Sequence, residues 1–363
     1  MASGRIHPLH GILAVSADLV SVVVPAYNAA KTLDETLRSV RGQTHATLDI
    51  VVVDDGSTDA TAMLAQTHAD ADPRVRLIRQ ANSGVAAARN TGWRAARSDF
   101  IALIDSDDLW APHMVEKLLA ALREGGPKVG VAYCFFAHIN AHSMAYPYHY
   151  PDPCSGDVLD RILQHNFTGC GSTMLVRREA LIATGGFDDS LRAAGAQGCD
   201  DYLFCCRAAE HFHFACVPEV LVGYRESTTG ISSSAGRMLR SWMLVAEQMT
   251  ARQPAKRDLI LQGVRGYAEW MLGIAVAHRQ SGKVRAILWL LLRYHPQIAW
   301  QVMTGFMPRM AIHQMRHLKG RTGARLRGWL GGQPRGRVAQ NPQKPQLAPF
   351  PIGALPAPEG GDP

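Results

Sequence analysis

Short apolar runs alternate with helical periodicity along the first hundred or so positions. Leu19–Val24 reads as a strand halted at Pro25, and Leu33, Leu37 and Val40 follow at helical spacing. Ile50–Val53 predicts a second strand, with Ser57 or Thr58 capping a helix that runs through Met63 and Leu64. Val75–Ile78 reads as a third strand, Ser83–Arg97 as an alanine-rich helix and Phe100–Ile104 as a fourth strand. Strand and helix in strict alternation imply a mostly parallel sheet flanked by helices, an α/β fold.

The pattern loosens after Pro112. Val129–Ile139 and Ser172–Val176 read as strands, separated by a Pro/Tyr/His loop at Tyr146–Ser155. Gly185-Gly186-Phe187-Asp188-Asp189 is a turn, and Cys199-Asp200-Asp201 opens a helix ending near Glu210. Phe212–Val217 and Val220–Arg225 are expected as two closing strands. From about Arg237 the periodicity is helical. Its most apolar stretch, Ala286–Leu292, is broken by Arg293, His295 and Pro296, too short to span a bilayer. With Trp300, Phe306 and Arg309 nearby it suits a helix pair lying on a membrane surface. Beyond Gly331 the Pro/Gly/Gln-rich composition predicts a disordered tail. The expected divisions are an extension at 1–18, an α/β domain at 19–236, basic helices at 237–330 and a tail at 331–363.

Charge sharpens that division. The whole chain carries +7, but Arg237–Gln340 holds 18 Lys/Arg against Glu247, Asp258 and Glu269, a net +15 that leaves −8 elsewhere. The basic part suits an anionic surface, and its bulky Ile287–Leu292 segment favours lipid over nucleic acid. Apolar content of 47% excludes wholesale disorder. The seven cysteines form no CxxC pair and no zinc spacing, and the N-terminus lacks a strong signal-peptide core. Both observations lead us to expect a reducing, cytoplasmic setting.

The chemistry gathers at two acidic clusters, each closing an apolar run. Asp54-Asp55-Gly56-Ser57 follows Ile50–Val53, and Asp105-Ser106-Asp107-Asp108 follows Phe100–Ile104. Carboxylates at the C-terminal ends of buried parallel strands emerge in the crevice where open α/β sheets bind ligands. Packed together they repel, and a divalent metal with a phosphate ligand relieves the repulsion. That combination points to a nucleotide-dependent enzyme. Taken singly, Asp54 and Asp55 also suit turn and capping roles, and Asp108 suits a cap for Leu109–Met114.

Read in order, these segments resemble the family 2 glycosyltransferases, which adopt the nucleotide-diphospho-sugar transferase (GT-A) fold. The resemblance is carried by Val22–Asn28, Val53–Asp59, Asn82–Gly92, Asp105–Asp108, Gly185–Asp188 and Asp200–Tyr202, within roughly residues 19–225. It implies that Pro25, Ala26, Tyr27 and Asp55 hold the nucleotide base, usually uracil, with Gly84 and Arg89 beside the nucleotide. Arg89 also suits a structural ion pair. Asp105 is implied at the ribose and Asp107 on a divalent metal, Mg²⁺ or Mn²⁺, bridging the diphosphate. Asp201 becomes the general base that deprotonates an acceptor hydroxyl, giving inversion at the anomeric carbon. Asp200 stands where the family usually has Glu, and Asp188 lies on the acceptor side. A histidine common two residues after the Tyr-Arg pair is replaced by Ser227, leaving Arg225 to approach the diphosphate. His138, His142 and His149 suit either acceptor contacts or ordinary packing. The implied partners are a nucleotide-sugar donor, expected to be a UDP-sugar, and a glycan or lipid-linked acceptor of cell-surface polysaccharide assembly. Transfer to a polyprenyl phosphate and non-catalytic nucleotide-sugar binding are the competing readings.

Overall fold

The computed structural model describes residues 18–146, 152–226, 234–308 and 348–351. The expected extension and most of the expected tail lie outside the described residues, as do His149 and Ser227. The α/β part opens with β1 (Val20–Ala26), α1 (Leu33–Arg41), β2 (Leu48–Asp54), α2 (Thr61–Ala71), β3 (Val75–Arg79), α3 (Val85–Ala95) and β4 (Phe100–Leu103). It continues with β5 (Leu109–Trp110), α4 (Met114–Glu124), β6 (Val129–Ile139), β7 (Met144–Ala145), α5 (Leu159–Gln164) and β8 (Met174–Arg177). The short helices α6 (Arg178–Thr184) and α7 (Ser190–Ala193) precede α8 (Asp200–Ala208) and β9 (His213–Arg225). Four helices follow, α9 (Ala235–Arg252), α10 (Arg257–Ala277), α11 (Ser281–Tyr294) and α12 (Pro296–Gln301), and a two-residue β10 (Ala348–Pro349) pairs antiparallel with β7.

β3, β2, β1 and β4 form the parallel half of the sheet, with β1 at its centre between β2 and β4. Every residue of β1 and β2 is buried, as continuous apolar runs covered on both faces require. Pro25 does not halt β1. Its pairing with β4 ends at Val23, so the edge that a Pro25 N–H would have served is already free of a partner strand. Beyond β4 the sheet turns mixed: β8 is antiparallel to both β4 and β6, whereas β6 and β9 run parallel.

Two expectations about local structure are corrected. Phe212–Val217 and Val220–Arg225 belong to one strand, because the register on β6 steps from Cys134–Val217 to Phe135–Val220 and accommodates Pro218 and Glu219 as a bulge. The N-cap of α2 is Ala60, neither Ser57 nor Thr58, and the residue before it supplies the side-chain contact. Asp59 accepts from the Thr61 N–H at 3.0 Å, while Ser57 Oγ accepts from the Asn28 N–H and the Thr58 N–H donates to Asn28 Oδ1. The expected tail is also structured where it is described, since Phe350 is buried and its N–H donates to the Ser143 carbonyl.

α3 packs on the sheet through small residues, as its alanines suggest. A Cβ on Gly92 would stand 2.2 Å from Val23 Cγ1, so the helix backbone lies directly on β1. The buried faces of α9, α10 and α11 join the core beneath α8 through Leu239, Met243, Val264, Leu272 and Ile287. The helical region therefore completes the interior next to the acidic clusters. Among the described residues no helix is long and apolar enough to cross a membrane.

Candidate active site

The parallel strands deliver Asp54 and Asp55 from the end of β2 and Asp105–Asp108 from the end of β4. Asp54 is fully buried, and its carboxylate accepts from the Ser57 N–H and from Arg79 Nε. Asp55 is 3% exposed. One of its oxygens accepts from Gln80 Nε2 at 2.7 Å and the Ser83 N–H at 2.8 Å, and the other from the Gly84 N–H at 2.8 Å. It therefore holds the β3–α3 turn that sequence reasoning placed beside the nucleotide. Gly84 has φ +92°, a conformation that leaves its N–H aimed at that carboxylate and that disfavours any side chain. Pro25 and Ala26 lie within β1, while Tyr27 stands 51% exposed where the chain leaves the sheet.

Arg89 occupies the centre of the arrangement. Its Nη2 donates to Asp105 Oδ1 at 2.6 Å and its Nη1 to Asp200 Oδ2 at 2.7 Å, with the side chain only 4% exposed. The guanidinium also lies 5.6 Å from the Phe187 ring centroid. An ion-pair role for Arg89, weighed from the sequence beside ligand contact, is what its geometry displays. One cation thus joins the end of β4 to the start of α8, and Asp200 and Asp201 occupy the first two positions of that helix.

Asp201 Oδ1 accepts from the Tyr202 N–H at 2.7 Å. Burial raises its pKa, the neighbouring Asp200 raises it further, and Arg89 pulls it back, leaving it at about 7. Such a carboxylate is ionised at mildly alkaline pH and still basic enough to take a proton from a hydroxyl. Asp107 is pushed up to about 6, by burial and then by Asp105, with Arg225 opposing. Its carboxylate belongs to an acidic turn with too little local positive charge. Among the described residues no group of three or more His, Cys, Asp or Glu is placed to hold a metal. The donor set fits a hard divalent cation that takes one or two carboxylates from the protein and the remaining oxygens from phosphate and water.

The Asp107 turn is braced from behind. Asp108 is 1% exposed, accepting from Ser172 Oγ at 2.5 Å and from the Arg225 N–H at 3.0 Å, which replaces the helix-capping role expected for it. Ser172 Oγ in turn accepts from the Asp105 N–H. Arg225 donates from Nε to the Asp107 carbonyl, from Nη1 to the Asn140 carbonyl and from Nη2 to Glu35 and Ser143. The resemblance left it to approach the diphosphate; in the structure its guanidinium fixes the shape of the Asp107 turn. Asp188 is engaged by Ser190, Arg207 and Gln248, tying its turn to α8 and α9 beside a cavity of about 420 Å³. Gly185 and Gly186 both have positive φ there, and a Cβ on Gly186 would stand 2.5 Å from Asn90 Oδ1. Glu35 in the first turn of α1, Ser172 and Asn140 were missed from the sequence, where nothing marks a single polar residue that finds its partner far along the chain.

Residues 21–185 match the Glycosyl transferase family 2 model. The chain carries a family 2 glycosyltransferase domain. It is 40% identical over 100 residues to the uncharacterised glycosyltransferase EpsJ of Bacillus subtilis, covering 28% of this chain and 29% of that relative. It is 42% identical over 106 residues to the chondroitin synthase of Escherichia coli, covering 29% and 16% of the two chains. The matches span between 29% and 33% of the length of the first curated relatives. Among solved structures, Staphylococcus aureus TarS 1–349 in complex with UDP-GlcNAc superposes with a TM-score of 0.58 at 17% identity, over 94% of this chain and 99% of that one. The Pyrobaculum calidifontis mannosyltransferase PcManGT, in complex with GDP-Man and Mn²⁺, gives 0.51 at 22% identity, over 82% and 86%. The fold of the chain is accordingly GT-A, with its helical C-terminal region present.

Proposed function

We propose that this glycosyltransferase moves a sugar, with inversion, from a nucleotide-diphospho-sugar to a hydroxyl of a glycan or lipid-linked acceptor in cell-surface polysaccharide assembly. The observation that carries the reading is the link Asp105–Arg89–Asp200, which sets a carboxylate poised near neutrality, Asp201, next to the acidic end of β4. UDP is the favoured nucleotide, supported by the UDP-GlcNAc bound to TarS.

In this mechanism Tyr27 and the Asp55-held turn receive the base, and Asp105 receives the ribose. Asp107 would hold Mg²⁺ or Mn²⁺, a reading supported by the Mn²⁺ in PcManGT. When bound, such an ion offsets negative charge on the diphosphate. Asp201 accepts the proton of the acceptor hydroxyl as its oxygen attacks the anomeric carbon from the side opposite the diphosphate. Arg89 fixes the distance between the donor-side and base-side carboxylates. The basic helices rest on the inner face of the cytoplasmic membrane. Exposed Trp289 and Leu292, on α11 with Lys283, Arg285 and Arg293, and exposed Trp300 on α12 support that contact.

The test is turnover of UDP-, GDP- and dTDP-sugars with and without Mn²⁺, by wild type, Asp107→Ala and Asp201→Asn. Metal-dependent turnover of one donor, abolished in Asp107→Ala, is expected. Tight nucleotide binding without turnover of any donor would replace this reading with a binding role. Full activity of Asp201→Asn on a polyprenyl phosphate would remove the hydroxyl acceptor.

A further inference from the structure

Two of the seven cysteines stand apart from the rest. Cys134, Cys170, Cys199, Cys205 and Cys206 are buried free thiols, whereas Cys154 and Cys216 are free thiols that are partly exposed. The exposed two meet across a short antiparallel contact beside β9. There Gly156 and Phe214 exchange both backbone hydrogen bonds, the Gly156 N–H donating to the Phe214 carbonyl at 2.8 Å and the Phe214 N–H to the Gly156 carbonyl at 2.9 Å. Two residues further along each segment, that register sets Cys154 opposite Cys216. Directly opposed residues of an antiparallel pair have Cα atoms about 4.5–5.5 Å apart and side chains on one face. That separation lies inside the span of about 4.4–6.8 Å that a disulfide bridges.

Tyr133 holds both cysteines in place. It is the register partner of Cys216 across β6 and β9. Its hydroxyl donates to the Cys154 carbonyl at 3.0 Å and accepts from the Cys154 N–H at 3.0 Å. Both backbone groups of Cys154 are thus taken up by Tyr133, so the ladder stops at Gly156–Phe214, and the Cys216 N–H donates to Ser155 Oγ at 3.0 Å instead. Burial raises the pKa of the Cys216 thiol, and its hydrogen bonds with the Tyr133 hydroxyl and the Cys154 backbone oppose that rise. Burial raises the Cys154 thiol as well, and the Arg161 guanidinium pulls it back toward the thiolate. Cys134 is no competitor. It is the register partner of Val217 and packs into the core on the opposite face of the sheet.

We propose that Cys154 and Cys216 are a thiol–disulfide exchange site, oxidised as a pair by a low-molecular-weight disulfide. The Cys154 thiolate attacks one sulfur of the small disulfide, breaking its S–S bond and releasing one small thiolate, which takes up a proton. The Cys216 thiolate then attacks Cys154 Sγ in the mixed disulfide and expels the second small thiolate, which is protonated in turn. Two cysteine thiols lose two protons and two electrons, and one small disulfide becomes two thiols. The new bond ties the segment ahead of α5 to β9. α5 carries α10 in turn, since a Cβ on Gly263 would stand 2.5 Å from the Leu163 carbonyl, so the cross-link braces the seat of the helical region.

The experiment uses the full chain, reduced, freed of reductant and incubated at pH 8 with oxidised glutathione. The sample is quenched in acid, alkylated with N-ethylmaleimide and mapped by mass spectrometry of its non-reduced peptides. Wild type is expected to lose two of its seven thiols and to yield one linked peptide pair, Cys154–Cys216, with dithiothreitol restoring all seven. Cys216→Ser is expected to stop at a glutathione adduct on Cys154, which wild type resolves. The linked form should unfold at a higher urea concentration than the reduced form, because closing a long loop restricts the unfolded chain. A glutathione adduct that persists on Cys154 in wild type overturns the pairing, as does a native linkage of either residue to one of the buried five. So does a folded protein in which neither cysteine is oxidised under conditions that oxidise the urea-unfolded chain.

Discussion

Replacing Arg89 with methionine tests the ionic link at the centre of the site. Arg89 is 4% exposed, Asp200 6% and Asp105 29%, so two carboxylates would lose their cation with little water to replace it. Removing one partner of such a buried pair costs about 3–5 kcal/mol, chiefly because the charges left behind are uncompensated. Asp201 stands beside Asp200, and three carboxylates would then share one region without a cation. Their folded-state pKa values should rise above the unfolded carboxylate value of about 4. A carboxyl with a raised folded pKa destabilises the native state when ionised, so the deficit should shrink as pH falls and the groups take up protons. Urea unfolding of wild type and Arg89→Met at pH 8 and pH 5.5 should show the larger midpoint gap at pH 8. Arg89→Lys should recover only part of it, because one ammonium cannot bridge both carboxylates as the guanidinium fork does. A deficit below about 1 kcal/mol at pH 8, or one equal at both pH values, would refute the account.

Other consequences are more local. With Asp201 at about 7, kcat/KM should fall about tenfold per pH unit below neutrality, and Asp201→Asn should lose roughly 10²–10⁴-fold; a pH profile flat down to pH 5 would exclude Asp201 as the base. Asp72, 6% exposed between Arg41 and Arg74, has its pKa lowered by their hydrogen bonds, although burial, the largest influence, opposes this. Its contribution to stability is complete above about pH 4 and is lost only as pH falls through the lowered folded pKa, so Asp72→Ala should cost about 3 kcal/mol in urea titrations at pH 7, with the deficit only partly reduced near pH 3 and shrinking further below it. Gly92→Ala forces a methyl into Val23 and should cost about 1–3 kcal/mol in the same assay, with no shift in donor KM beyond the loss of folded protein. The double change Trp289→Ala/Trp300→Ala should reduce co-sedimentation with vesicles containing anionic phospholipid, and undiminished sedimentation would remove those side chains from the membrane contact.

Legibility followed the range of the interactions involved. The parallel strands were readable because strands covered on both faces leave uninterrupted valine and isoleucine runs, and β2 and β4 end where their acidic clusters begin. The start of α2 was misread because Ser57, Thr58 and Asp59 are all competent to hold a first-turn N–H, and only Asp59, just before the Ala60 cap position, does so. The choice depends on Asn28, whose positive φ of 49° brings its backbone and side chain onto Ser57 and Thr58. The bulge at Pro218 was read as a strand break for a related reason. A proline normally ends pairing, but here Pro218, Glu219 and then Leu221 are left extra on β9, and regular pairing with β6 continues from Phe136–Val222.

The site divides along the same line. Its carboxylates announce themselves in local motifs, but the groups that give them distinct properties are distant in sequence. Arg89 meets Asp200 across 111 positions, and Arg225 meets Glu35 across 190. No local pattern predicts such pairs. Their effect on chemistry is nonetheless specific. Arg89 neutralises Asp105 and Asp200 directly but reaches Asp201 only through space, so one arginine can leave two carboxylates paired and the third near neutrality. The shorter aspartate at position 200 is therefore compatible with a supporting role, since it reaches Arg89 at 2.7 Å without the additional methylene of glutamate. On that argument Asp200→Glu would crowd the guanidinium rather than improve the pair. The test is whether that variant lowers the pH at which Asp201 titrates, as a closer charge pair would, or leaves it unchanged while weakening stability.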